Sequence, residues 1–288
     1  MGGCQLGNFI LFMSKNFLKK IQKNQTYIIA EIGINHNGDI KLAKKLIDSA
    51  KRAGADAVKF QTYITEKRVE KNSPIYKILK KCELPFGDFK ILNNYSKRKN
   101  IDFFSTPFDK ESAEFLNKIG VQIFKIASFD STNKIFLRQL SKYKKIFILS
   151  TGMSSMKEIK KATNILKKNS KKTILLHCVS SYPNPEKESH LSCIKELKFF
   201  FPRNIVGLSD HTNDIYVATL ASALGAKVIE KHFMINKSFN CADKSVSITE
   251  KQMRKLVAEI KRVEEILGSN ILKLRDIEKH TFKYKRIT

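Results

Sequence analysis

Two lysines stand where ammonium groups are expensive. Lys59 in "AVKFQTY" and Lys125 in "IFKIAS" are each flanked by apolar residues in strand-like runs. A buried ammonium is costly unless an anion compensates it. A bound phosphate or carboxylate is the expected partner, in preference to internal salt bridges. Hydroxyls at the ends of other runs, Thr106, Ser128, Ser150 and Ser209, would add neutral donors to the same anion. Two histidines raise a second chemistry. His211 in "GLSDHT" and His232 in "EKHF" close two consecutive apolar runs. If those runs are neighbouring strands, both imidazoles reach one point. With water and substrate oxygens they would make an open site for a divalent metal. Glu31 in "YIIAEIG" would reach the same centre, as base or water-mediated ligand, if the first strand closes beside the last.

The elements that must position these groups are legible as a pattern. Eight short β-rich runs occupy 27–33, 57–63, 101–107, 123–128, 145–152, 173–183, 204–212 and 228–235. Most lack polar alternation, as strands buried on both faces do. Helical periodicity fills several gaps between them. "DIKLAKKLIDSAKRAG" puts Ile40, Ala43, Leu46, Ile47 and Ala50 on one face, with Asp39 as N-cap and Gly54 beyond the C-terminus. The same grammar recurs from Asp109 to Gly120. Strand and helix in alternation imply right-handed βαβ units. Eight of them predict an α/β fold, a closed (β/α)8 TIM barrel over 26–268. An open doubly wound sheet is the alternative; "GINHNGD" after the first run lacks its glycine fingerprint. His177 is expected inside the barrel, His36 is a weaker site candidate, and His190 and His280 read as surface residues.

The chain has 288 residues, with 54 basic against 27 acidic side chains and a formal charge of +27. The lysines recur in segments such as "KLAKK" and "ILKKNSKK", which read as solvated helix faces. No Arg-rich block or aromatic RNA-binding signature accompanies them, so no nucleic-acid partner is expected. The apolar runs are too short for a membrane span. Five cysteines without a CxxC pair argue against a disulfide framework and fit a cytoplasmic protein, with Cys82 and Cys178 expected to be buried. Residues 1–25 read as an N-terminal extension, with Met13 as the expected natural start, and 269–288 as a polar tail.

Taken in order, "AEIGINHNGDIKLAKKLIDSAKRAGADAVKFQTY", "FFSTPFD", "FKIAS", "ILSTGM", "LLHCVSSYP", "GLSDHT" and "EKHF" resemble the sialic acid synthase family, over about residues 26–267. The resemblance implies a barrel joined to a small antifreeze-like domain. It implies condensation of phosphoenolpyruvate with an N-acetylated amino sugar, N-acetylmannosamine or a 2,4-diacetamido trideoxyhexose. The product is a nine-carbon 2-keto-3-deoxy acid, and phosphate is released. The implied cofactor is Mn2+, with Mg2+ or Co2+ as alternatives. The implied metal ligands are His211 and His232. Lys59, Thr106, Lys125, Ser128, Ser150 and Ser209 match phosphoenolpyruvate contacts, Glu31 the acidic catalytic residue, and Gln61, Tyr182 and Asp243 groups near the sugar. Ser180 stands where N-acetylneuraminate synthases often carry Asn, which opens the choice of sugar. "NCADKSVSIT" departs from the family's loop at Gly, Pro and His but keeps Asp243 and Ser247. The sequence reaches "KYKRIT" about where the linker to the antifreeze-like domain would begin. A homodimer or a separate capping domain is therefore an expected partner, and a raised sugar KM is the expected cost of an uncapped site. The competing readings are a barrel aldolase with Lys59 or Lys125 as Schiff base, and a non-catalytic remnant.

Overall fold

The apolar runs become strands because each is covered on both faces. They are β1 (Tyr27–Gly33), β2 (Ala57–Thr62), β3 (Asp102–Pro107), β4 (Ile123–Ile126), β5 (Ile146–Ser150), β6 (Lys172–Cys178), β7 (Val206–Asp210) and β8 (Val228–His232). In this computed structural model, which describes residues 15–167 and 172–286, they pair in chain order and β1 returns to β8. The sheet is closed and parallel, so the fold is the expected (β/α)8 barrel and the open sheet is excluded. The seam is explicit: Glu31 of β1 pairs in register with His232 of β8.

The helices are α1 (Lys15–Gln22), α2 (Ile40–Ala53), α3 (Thr65–Arg68), α4 (Tyr76–Cys82), α5 (Phe86–Arg98) and α6 (Lys110–Lys118), then α7 (Lys134–Ser141), α8 (Met156–Lys167), α9 (Cys193–Phe200), α10 (Tyr216–Ala223) and α11 (Glu250–Leu267). Their ends follow side-chain chemistry. Asp39 accepts from Lys41 N at the start of α2, and Gly54 ends that helix at φ +90°. Asp109 accepts from Ser112 N at the start of α6, and Thr249 and Gln252 form a capping box on α11. The β2–β3 connection departs from one helix per strand: it carries α3 and α4 before the barrel helix α5. Among the described residues no helix is long and apolar enough to cross a membrane.

The extension expected over 1–25 lies partly outside the described residues, Met13 included. From Lys15 the chain is α1, whose Phe17 is buried edge-on against Tyr27 at 4.8 Å. After Gly268 the described chain makes two short turns, Asp276–Glu278 and Phe282–Tyr284, without buried residues.

The turn between β1 and α2 buries a histidine. His36 is 1% exposed, its ring lies 5.9 Å from that of Phe60, and Nδ1 accepts from Gly38 N at 3.1 Å. Burial depresses its pKa from 6.5 to about 4, against smaller opposing contributions from Gly33 and Asp39. Between those values the unfolded chain binds a proton that the folded chain refuses. His36 therefore contributes stability in full above pH 6.5, and loses it as pH falls toward 4. From pH 7.5 to 5 this amounts to about 2 kcal/mol. Urea denaturation at both pH values should show that loss in the wild type and a smaller one in His36→Gln; equal losses would refute the assignment.

Candidate functional site

The carboxyl ends of the strands surround a cavity of about 370 Å³. Its floor follows from strand periodicity. Side chains two apart share a face, so Lys59 with Gln61, Ser209 with His211, and Glu230 with His232 all turn inward. Glu31, Thr106, Lys125, Ser128, Ser150, Tyr182 and Asp243 complete the polar lining. Every site residue picked from the sequence lines this cavity except Ser180 and the weaker candidate His36.

Internal salt bridges, set second to an external anion in the sequence reading, are present beside both lysines. Lys59 Nζ lies 2.8 Å from Glu31 Oε2 and 3.7 Å from Glu230 Oε2, and Lys125 Nζ lies 3.3 Å from Glu230 Oε1. All four groups are under 5% exposed. Hydroxyls knit the cluster: Lys59 donates to Thr106 at 3.2 Å, Lys125 to Ser150 at 2.7 Å, and Ser209 to Glu230 at 2.9 Å. The two carboxyls titrate in opposite directions. Burial works to raise Glu230, but Lys125 and Lys59 outweigh it and hold the group down at about 2. Burial, aided by the Glu230 charge, raises Glu31 despite Lys59. Burial also lowers Lys125, which Glu230 only partly offsets, whereas Lys59 is raised because Glu230 and Glu31 together overcome its desolvation.

The two imidazoles sit on adjacent strands with ring centroids 5.5 Å apart. His211 Nδ1 lies 2.8 Å from Val179 O. A carbonyl accepts only, so Nδ1 carries the proton and Nε2 keeps its lone pair. His232 Nδ1 and Asp243 Oδ2 are buried 3.3 Å apart as an ion-pair contact, and among the described residues each is the other's polar neighbour. Tyr182 lies over His211 at 4.0 Å and edge-on to His232 at 6.0 Å. Among the described residues no three His, Cys, Asp or Glu side chains converge on one point. Two imidazoles, one with a fixed tautomer, and a nearby carboxylate that orients the other, suit an ion whose remaining positions go to substrate and water.

Backbone geometry lets polar groups crowd here. Gly33 has φ +54°, and a Cβ there would meet Glu31 Oε1 at 3.1 Å, Asp243 Oδ2 at 3.2 Å and Gln61 Nε2 at 3.3 Å. Ser180 sits beside the cavity: a Cβ on Gly152 would meet its Oγ at 2.4 Å and Ser128 Oγ at 2.8 Å. The Ser180 hydroxyl is buried without a hydrogen-bond partner among the described residues. His177 does not pack inside the barrel. Its strand position faces the helix layer, where Nε2 lies 2.7 Å from Ser189 O. His36 stays out of the lining, His190 and His280 are exposed, and Cys82 and Cys178 are buried. Three features escaped the sequence reading. Glu230 was visible at a strand end, and its i, i+2 relation to His232 could have marked it as inward. Arg68 and the apolar mouth of Ile75, Ile78 and Phe108 belong to or face the β2–β3 connection, where no periodic signal points inward.

The NeuB family profile matches residues 46–272. The chain belongs to the NeuB family. Among relatives of this NeuB-family chain is the N,N'-diacetyllegionaminic acid synthase of Campylobacter jejuni, 39% identical over 279 residues, or 91% of this chain and 83% of the relative. The pseudaminic acid synthase of the same species is 35% identical over 94% of this chain and 80% of its own length. Among solved structures, an N-acetylneuraminic acid synthetase from Leptospira borgpetersenii superposes with a TM-score of 0.87 at 41% identity, covering 91% of this chain and 92% of that one.

Glu230 is the carboxylate both lysines share, so its loss should be felt in stability. Glu230→Gln should destabilise the NeuB-family barrel by about 3–5 kcal/mol in urea at pH 7, because Lys125 is left buried without a counter-charge. Adding Lys125→Met should recover part of that loss. A neutral Glu230→Gln would mean the ammonium has another source of compensation.

Proposed function

We propose that this chain condenses phosphoenolpyruvate with an N-acetylated amino sugar to give a nine-carbon 2-keto-3-deoxy acid and phosphate. NeuB-family relatives are phosphoenolpyruvate-condensing synthases of legionaminic, pseudaminic and sialic acids. The observation that carries the reading is one cavity in which two buried ammoniums, ringed by hydroxyls, face two imidazoles on the adjoining wall. A trianionic substrate and a sugar aldehyde need those two environments side by side.

Lys59 and Lys125 would neutralise the phosphate and carboxylate of phosphoenolpyruvate, with Thr106, Ser128, Ser150 and Ser209 as neutral donors. Gln61, Tyr182 and Asp243 would orient the open-chain sugar, so that its aldehyde carbon lies against C3 of the enol. The C3–C1 bond forms as the enol double bond and the aldehyde C=O π bond are consumed, and the oxygen on C1 becomes a hydroxyl with the proton released when water adds at C2. Water adds to the resulting cationic C2, and Glu31 takes its proton. Burial raises the pKa of this carboxyl, which makes it the stronger base of the two in the cluster. Phosphate then leaves from the tetrahedral carbon. Family synthases use a divalent ion; His211 and His232 would hold it, and it would supply Lewis-acid polarisation of the aldehyde. We assign Mn2+, with Mg2+ and Co2+ as the alternatives to be assayed. We take a 2,4-diacetamido trideoxyhexose, after the Campylobacter legionaminic acid synthase, and N-acetylmannosamine, after the Leptospira synthetase, as the two sugars to be assayed against each other.

The Schiff-base aldolase and the non-catalytic remnant are not favoured. An aldolase leaves the imidazole pair without a role, and both lysines are engaged in ion pairs.

The test is phosphate release from phosphoenolpyruvate and Mn2+ with N-acetylmannosamine, its 6-phosphate and the diacetamido sugars. Release with one sugar is expected, and chelator or His211→Ala should abolish it. Glu31→Gln should cost about 10²–10⁴-fold in kcat while phosphoenolpyruvate still binds. Silence with every sugar, or a borohydride-trapped lysine adduct, would sink the reading.

A further inference from the structure

One guanidinium at the cavity mouth is held in place but, among the described residues, has no carboxylate to hold. Arg68, the last residue of α3, lines the cavity. Its Cζ lies 3.7 Å from the ring centre of Phe108 and 4.7 Å from that of Tyr63. Tyr63 is fixed in turn, donating to Leu79 O at 2.9 Å. Both rings lie against the guanidinium as cation–π partners, and its N–H groups still need acceptors. One edge donates to Gln61 Oε1 at 3.0 Å. Among the described residues no carboxylate pairs with Arg68. A planar five-donor group fixed at the rim of a cavity with one partner is poised for a ligand acceptor.

The surroundings select which acceptor. The floor has its own cations, Lys59 and Lys125, for the trianionic substrate. Arg68 is instead largely desolvated, with the carboxylates of Asp243, Asp130 and Glu31 as the acidic groups acting on it. Beside it the cavity is lined by Ile75, Ile78, Leu79 and Phe108. A phosphate dianion would be desolvated against those side chains with a single cation to meet it. A neutral carbonyl attached to a methyl suits both halves: the oxygen takes an N–H edge and the methyl lies on the isoleucines.

We propose that Arg68 is a specificity-determining residue that donates to the acyl carbonyl of the amino sugar, with Ile75 and Ile78 receiving the acyl methyl. The proposal rests on the condensing activity proposed above. It concerns sugar recognition alone, not phosphoenolpyruvate binding.

The experiment compares wild type, Arg68→Leu and Arg68→Gln. It measures KM for sugar and for phosphoenolpyruvate by phosphate release, and sugar binding by calorimetry with phosphoenolpyruvate present. Loss of a charged hydrogen bond should raise the sugar KM of Arg68→Leu about 10- to 100-fold. The KM for phosphoenolpyruvate should stay within about twofold. Gln, which keeps an N–H donor, should recover part of the loss, and provides the comparison if the Leu variant does not fold. Replacing the N-acetylated sugar by its free amine should erase the difference between wild type and variant. An unchanged sugar KM, an equal rise for both substrates, or a greater loss on the 6-phosphate than on the neutral sugar would each overturn the proposal. If wild type binds N-acetylated sugars without releasing phosphate, and Arg68→Leu loses that binding, the condensation reading fails while this one stands. If wild type binds no such sugar, both fail.

Discussion

Four charges buried at one end of a β-barrel constrain the rest of this molecule. Lys59, Lys125, Glu31 and Glu230 are almost fully desolvated, and each is tolerable only because another stands within ion-pair distance. They come from four strands, so their pairing requires one strand register. In β8, a slip by one residue would exchange Glu230 for Lys231 and turn a third ammonium toward the first two. The other face of the strand enforces the same register. Lys231 is fully buried outside the barrel sheet, 2.8 Å from Asp210 and 3.0 Å from Thr212 Oγ1. Adjacent residues of opposite charge, each matched on its own side, make a register error costly on both faces. They also fix the backbone on either side of His211 and next to His232.

The same cluster divides labour between two chemically identical groups. Glu230 stands between two ammoniums and takes a hydroxyl donor from Ser209, so it stays ionised. Glu31 is desolvated, shares Lys59 with Glu230 and suffers the nearness of that second carboxylate, so its proton is held more tightly. One is a permanent counter-charge. The other can exchange a proton. The distinction arises from position within a network, and neither residue type nor local sequence contains it.

That explains how far the sequence could be read. The barrel was legible because burial on both faces suppresses alternation in most of the eight runs, and because Asp39, Gly54 and Asp109 punctuate helices by local rules. The histidine pair was legible because adjacency of the last two strands follows from chain order. The partners of the lysines were not. An Arg or Lys in an apolar run announces a need for compensation, but only the lateral register identifies what meets it. His177 was misplaced for a related reason: one residue of parity separates the barrel interior from the helix layer. Arg68 was invisible because α3 is four residues long and belongs to a connection whose direction no periodicity encodes.

The site accordingly has two mechanical parts. Its floor is built from strand residues tied into the main core, where a change in one charge disturbs its neighbours. Its mouth rests on a separate small cluster, Ile34, Tyr63, Leu79 and Cys82, with Val69 and Phe108 against it. Tyr63 belongs to that cluster and is also one of the two rings holding Arg68. Arg68 joins the two parts through Gln61, which donates on to Glu31 at 3.3 Å; substitutions in the small cluster away from that link share no partner with the floor and need not propagate into the barrel. A fold arranged this way can keep the enol-condensing floor fixed while the mouth is altered to accept a different sugar. Relatives with one barrel and different amino-sugar products are what such a separation permits.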